Sequence, residues 1–212
     1  MKFLTLALAL SLGTLLIAQP PAGKGGGAPG GAGKGGGAKG PARPVLSVSS
    51  PAWPDGGEVP MVNAGRGGNK SPEFVFNWSI AGVAAPAPME LQTYAVIFHD
   101  IENSSNKTTV DTLHWSAFNI PGTAKGLPEG LGAGDLADGT RNGPGIRAGG
   151  GAPAYFGPGA GVGPFHHYVF EFYALDAKLD LPATATRDEL VKAIDGHVVG
   201  KAAYVGRFHA VQ

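Results

Sequence analysis

Three segments, far apart in the chain, set ionisable side chains at the ends of apolar runs. His99-Asp100-Ile101-Glu102 follows the run 93–98, His114-Trp115 opens the run that ends at Ile120, and His166-His167 precedes the run from Tyr168 to Leu175. Just upstream of the last lies Gly157-Pro158-Gly159-Ala160-Gly161-Val162-Gly163-Pro164. Three strands that each bring an ionisable group to one end can converge on a single cavity. The chemistry such a cavity offers is anion recognition. Imidazoles donate to anionic oxygens, and a buried carboxylate orients an imidazole and supports its protonated form. A glycine-rich loop lets backbone N–H groups approach closely.

The same residue types admit other readings. Asp100, His114 and His166 could form a buried polar network that only ties strands together. Histidine and carboxylates also suit zinc, yet no His-x-His or His-x₃-His spacing is present. The chain has no cysteine and no Gly-x-Ser-x-Gly segment, so no nucleophile is apparent. Hydrolysis would need a water activated by His or Asp. The reading is therefore of a binding protein, not an enzyme, with no cofactor. His99 alternates to the strand face opposite Asp100 and is left out of the site. His197 and His209 read as structural or surface residues, His197 at a helix end where its charge suits the dipole. Trp78 and Trp115 read as core.

The elements that must position these groups are mostly strands. Phe74-Val75-Phe76-Asn77-Trp78 alternates large apolar residues on one face. The runs 93–98, 113–120 and 169–175 are nearly continuous, short and rich in aromatic or β-branched residues, which predicts central strands buried on both faces. Residues 202–208 give a last strand. Thr186-Arg187-Asp188-Glu189 is a capping box, Leu190, Val191 and Ile194 an apolar stripe, and Gly196 a left-handed stop. The expected architecture is mostly β: a two-sheet antiparallel sandwich with one or two short peripheral helices.

With these elements in place, seven ordered segments carry a resemblance. They are Asp100-Ile101-Glu102; His114-Trp115 with Asn119-Ile120-Pro121; Leu127-Pro128-Glu129-Gly130; Tyr155-Phe156-Gly157-Pro158 through Gly163 to His166-His167-Tyr168; Tyr173-Ala174-Leu175-Asp176; Leu179-x-Leu181; and Gly196-His197-Val198. Together they resemble the phosphatidylethanolamine-binding protein family, which includes the bacterial Raf-kinase-inhibitor-like proteins. The resemblance implies a β-sandwich with a small, partly exposed pocket for phosphate-like and carboxylate anions. Its pocket positions fall here on Asp100, His114, Gly159, His166 and Tyr168, with the Gly159 N–H as a neutral donor. The sequence departs from the family pattern at Ile101 and Glu102, and at His167. Ala160-Gly161 stands in place of two prolines, which implies a looser pocket rim. Small residues around 143–153 are an insertion, either a lid or an unstructured segment.

Residues 1–18 read as an export signal: Lys2 is followed by an apolar run too short for a membrane span. Residues 19–44 are almost only Gly, Ala, Pro and Lys, the composition of a flexible tether. Residues 45–212 then form one domain, long enough to bury a core. Absence of cysteine excludes disulfides and a lipid anchor through a thiol. Five of the 16 basic residues lie before Val45, which leaves 11 against all 16 acidic residues in the domain. That acidic balance excludes nucleic acid as a partner, while the basic tether could make weak contact with an anionic surface. The expected ligand is a small anion or a phospholipid head group, and the expected location periplasmic or secreted. An inhibitory protein acting on an envelope enzyme, or a metal- or water-dependent hydrolase, are the alternatives.

Overall fold

The computed structural model describes residues 42–104, 107–143, 145 and 153–211. The export-signal reading, and the tether up to residue 41, lie outside the described residues, as does most of the 143–153 insertion. Ten strands and one helix follow: β1 (Val45–Ser49), β2 (Gly57–Glu58), β3 (Phe74–Ile80), β4 (Val83–Ala84), β5 (Thr93–Asp100), β6 (Thr112–Pro121), β7 (Gly126–Leu127), β8 (Arg141–Asn142), β9 (His166–Leu175), α1 (Arg187–Ile194) and β10 (Val198–Phe208). One sheet has the order β1-β3-β4, with β7 also on β3; the other runs β2-β10-β9-β5-β6-β8. All pairings are antiparallel except the short β2, which pairs parallel to β10.

The long apolar runs become the central strands because two separate cores cover them. Tyr94, Val96 and Phe98 of β5 face the other sheet, where they meet Leu46, Phe74, Phe76 and Trp78. Ala95 and Ile97, on the opposite face, pack with Phe118, Tyr173, Leu175, Leu190 and Ile194. Every residue of β5 is consequently buried, as its unbroken apolar character requires. Aromatic rings fill the inner layer: Phe74 packs edge-on to Phe170 and Phe172, each with a centroid separation of 4.9 Å. Burying one such ring contributes about 1.5–3 kcal/mol.

The helix carries the capping box that its sequence spells. Thr186 Oγ1 accepts from the Glu189 amide at 3.3 Å, and the Glu189 carboxylate accepts from the Thr186 amide at 2.8 Å. Leu190 and Ile194 are its buried residues; Val191, expected in the same stripe, is exposed. One helical step of about 100° turns it away from Leu190 toward solvent. Gly196 follows the C-cap with φ 84°.

Candidate functional site

β5 delivers Asp100 at its very end. The carboxylate is buried, so it needs donors, and the following turn and β9 supply them. Its Oδ1 accepts from the amides of Glu102 at 3.0 Å and Asn103 at 3.1 Å, closing the strand with a tight turn. Its Oδ2 lies 2.8 Å from His166 Nδ1. Antiparallel pairing places Asp100 opposite Tyr168, so the first residue of β9 reaches back over the end of β5.

His114 arrives by a different device. Phe98 pairs with Trp115, but His99 pairs with Leu113, so His114 is the extra residue of a β-bulge. The bulge reverses the strand's alternation. Leu113 packs on the helix side, whereas Trp115 lies in the inner core, and His114 turns inward with it. Bulges re-aim side chains in this way beside functional sites. Phe98 and Tyr168 meet the His114 ring edge-on, and Phe156 stacks on it at 5.9 Å. Its Nδ1–H donates to Phe156 O at 2.9 Å. Burial pushes the imidazole below its usual range, outweighing the opposing carbonyl bond and the Asp100 charge. His114 is therefore neutral near pH 7, and its Nε2 is a lone-pair acceptor.

Tyr168 completes the cluster. Its hydroxyl accepts from the amides of Gly159 at 3.2 Å and Ala160 at 3.0 Å. Burial first, and the Asp100 charge second, hold the phenol protonated well above its ordinary range. The Gly159 N–H, a neutral donor by the family resemblance, donates in this structure to the neighbouring hydroxyl. The described structure brings Asp100, His114, Gly159, His166 and Tyr168 to one cavity of about 460 Å³, together with Arg66, Asn103, Phe156, Ala160 and Gly161.

Residues 61–70 were not singled out by sequence reasoning, yet they clamp the glycine loop. The Gly65 amide donates to Pro158 O at 2.8 Å, and Asn69 Oδ1 accepts from the Gly157 amide at 2.9 Å. Tyr155 Oη donates to Asn63 O at 2.8 Å, and Arg66 Nε to Gly159 O at 2.9 Å. These bonds pin the loop from Tyr155 to Gly159, next to the rim that lacks its prolines. The signal in the sequence was the run Gly65-Arg66-Gly67-Gly68, whose glycines announce a tightly wound segment.

The other acidic and imidazole groups lie elsewhere. Glu102 takes the His167 amide and Nδ1, both at 2.6 Å, and so locks the start of β9 rather than lining the cavity. His99 sits on the helix side of the sheet, with Nδ1 2.9 Å from Asp111 and Nε2 3.6 Å from Glu171. Burial, with the Arg187 charge adding to it, pushes His99 below its ordinary range. His197 is exposed and pairs with Asp176 at 2.9 Å, and His209 Nδ1–H donates to Gly163 O at 2.7 Å. Among the described residues, no three or more His, Cys, Asp or Glu side chains are grouped to hold a metal ion.

Chemically, His166 spends Nδ1–H on Asp100, which leaves Nε2 as the nitrogen a ligand can meet. Protonated there, it donates; His114 across the cavity accepts. The cavity thus presents one nitrogen of each imidazole to a ligand, backed by a buried carboxylate.

This arrangement can be set against known proteins. Residues 49–209 match the family model described as phosphatidylethanolamine-binding protein. A UPF0098 protein of Methanothermobacter thermautotrophicus is 34% identical over 164 residues, covering 77% of this chain and 98% of that protein. Mycobacterium tuberculosis LppC, whose name calls it a lipoprotein, is 31% identical over 172 residues, 79% of this chain and 74% of that one. Among solved structures, a phosphatidylethanolamine-binding protein homologue of Chlamydia trachomatis superposes with a TM-score of 0.63 at 23% identity, covering 79% of this chain and 99% of its own. E. coli YbcL gives 0.62 at 23% identity, with 78% and 99% covered. At that identity the two structures speak for the fold alone.

Proposed function

The chain belongs to the phosphatidylethanolamine-binding protein family, and from that premise we propose that it binds a small phosphate- or carboxylate-type anion, a lipid head group included, through Asp100, His114, Gly159, His166 and Tyr168. One observation carries this reading. Groups from three strand ends and a glycine loop, up to 68 positions apart, line a single cavity. Within it the buried Asp100 fixes the tautomer of His166 at 2.8 Å, leaving Nε2 for an anionic oxygen. A binding role accords with a sequence that has no cysteine and no Gly-x-Ser-x-Gly segment; no step of chemistry is assigned.

The protein is further proposed to be exported to the periplasm or beyond. Lys2 with the apolar run 3–18 supports this, and one relative bears a lipoprotein name. No described helix is long and apolar enough to cross a membrane.

Calorimetric titration with inorganic phosphate and phosphoethanolamine tests the binding reading. His166→Ala should lose a charge-assisted hydrogen bond, about 1.5–3 kcal/mol of affinity, with the fold intact. His209→Ala, which removes an imidazole outside the cavity, should bind as wild type does. Equal binding by wild type and His166→Ala, or no binding by wild type between about pH 5 and 8, where imidazoles titrate, overturns it.

A further inference from the structure

Among the described residues the cavity holds one permanent cation, and no strand end supplies it. Arg66 is the single lysine or arginine among the lining residues. It sits in a wound segment closed by the bonds Gly67 N to Ala64 O, Gly68 N to Met61 O, and Lys70 N to Val62 O, each at 3.0 Å. Around it only glycine fits. A Cβ would fall 2.7 Å from Gly157 O at position 65, 2.0 Å from Met61 O at 67, and 2.5 Å from Val62 O at 68. Of positions 65 to 68, only 66 has room for a side chain, and there the chain carries a guanidinium.

That guanidinium is held but not neutralised. Its Nε donates to Gly159 O at 2.9 Å, which fixes the group beside the cavity. Arg66 has no acidic partner among the described residues. Lys70, by contrast, pairs with Glu129, Arg187 with Asp111, and Arg207 covers the Phe165 ring. The two Nη groups keep the planar fork that matches two oxygens of a phosphate or carboxylate.

Charge decides what the fork is for. Asp100 puts one negative charge in the cavity wall, and the buried His114 does not offset it near neutral pH. Without Arg66 the cavity wall would carry the Asp100 charge with no permanent cation among the described lining residues to set against it. Arg66 balances the Asp100 charge with a guanidinium that stays charged at any pH of interest.

We propose that Arg66 is the specificity-determining cation of this cavity: its fork takes two outer oxygens of a terminal, doubly charged phosphate whose remaining oxygen meets His166. The inference rests on the anion-binding reading above and adds the ligand class. A monoester presents three unesterified oxygens, and free phosphate four, with up to two charges near neutral pH to span both groups. A diester presents two oxygens and one charge, and so engages one group fully at the expense of the other.

The test is calorimetry at pH 6 and pH 8 on wild type, Arg66→Gln, Arg66→Lys and His166→Ala. The probes are inorganic phosphate, phosphoethanolamine as monoester, and glycerophosphoethanolamine as diester, the head group of a lipid without its chains. Arg66 is exposed, so the variants should keep the wild-type melting temperature. Arg66→Gln should weaken phosphate and monoester by about ten-fold or more at both pH values, and the diester by a smaller factor. Arg66→Lys should restore part of the loss, since charge returns without the fork. If Arg66→Gln binds monoester at pH 8 as wild type does while His166→Ala does not, Arg66 has no part in the site and the anion reading stands. Equal weakening of monoester and diester overturns the selectivity. If wild type binds none of the probes, the anion reading falls and this inference falls with it.

Discussion

The Tyr155 hydroxyl donates to the backbone oxygen of Asn63 at 2.8 Å, a buried bond between residues 92 positions apart. It ties the glycine loop to the segment that carries Arg66, while the Tyr155 ring stacks on Phe98 at 5.5 Å. Tyr155→Phe keeps the ring and removes the donor. A buried carbonyl left without a partner costs about 1–3 kcal/mol, and urea unfolding should read that loss. Unchanged stability would mean that the hydroxyl does not hold the two segments together.

The two loops also approach so closely that their glycines are not equivalent. A Cβ at Gly157 would lie 2.0 Å from Asn63 O and 2.8 Å from Gly65 N, both backbone atoms, whereas one at Gly161 meets nothing within 4 Å. Gly157→Ala should therefore force the clamp apart and destabilise by roughly 1–3 kcal/mol. Gly161 does not occupy a positive φ. Gly161→Ala should be neutral or stabilise by about 0.4–1 kcal/mol through a less flexible unfolded chain. Thermal melts of the two variants decide the matter, and comparable losses would contradict the close approach.

Strand ends were legible because Asp100, His114 and His166 each terminate an apolar run long enough to show its period. What was not legible depends on pairing between distant segments. The bulge at His114 exists only because Phe98 pairs with Trp115 and His99 with Leu113; neither strand alone marks it. β2, β4, β7 and β8 are two residues each, too short for any alternation to appear. Arg66 stands in a stretch of small residues with no apolar pattern, so its place at the cavity follows from the bond to Gly159 and not from local sequence. The capping box was legible because its hydrogen bonds are local.

That box gives the most local prediction. Thr186→Ala removes the acceptor of the Glu189 amide and should cost about 1 kcal/mol. Thr184 is exposed just before it, and Thr184→Ala should be nearly silent. Equal effects in urea titrations would place the start of the helix elsewhere.

The two buried imidazoles give the fold a pH dependence whose sign can be worked out. Burial depresses both His99 and His114 below their ordinary range. In the unfolded chain an imidazole takes up its proton near pH 6.5. Above that value neither state binds the proton, and the stability associated with the neutral rings is fully present. Below it the unfolded chain is protonated first, so stability falls with pH until the native rings also accept. In that window each ring contributes a slope of up to about 1.4 kcal/mol per pH unit. Around His99 the charges of Asp111 and Glu171 oppose the depression and Arg187 adds to it; the Asp100 charge opposes it at His114. Urea unfolding at pH 7.5, 6.0 and 5.0 should show stability declining toward acid. His99→Gln and His114→Gln should each flatten the decline, by at most one proton, whatever they cost at pH 7.5. A variant that keeps the full wild-type slope would show that its imidazole is protonated alike in both states, and that burial does not govern it.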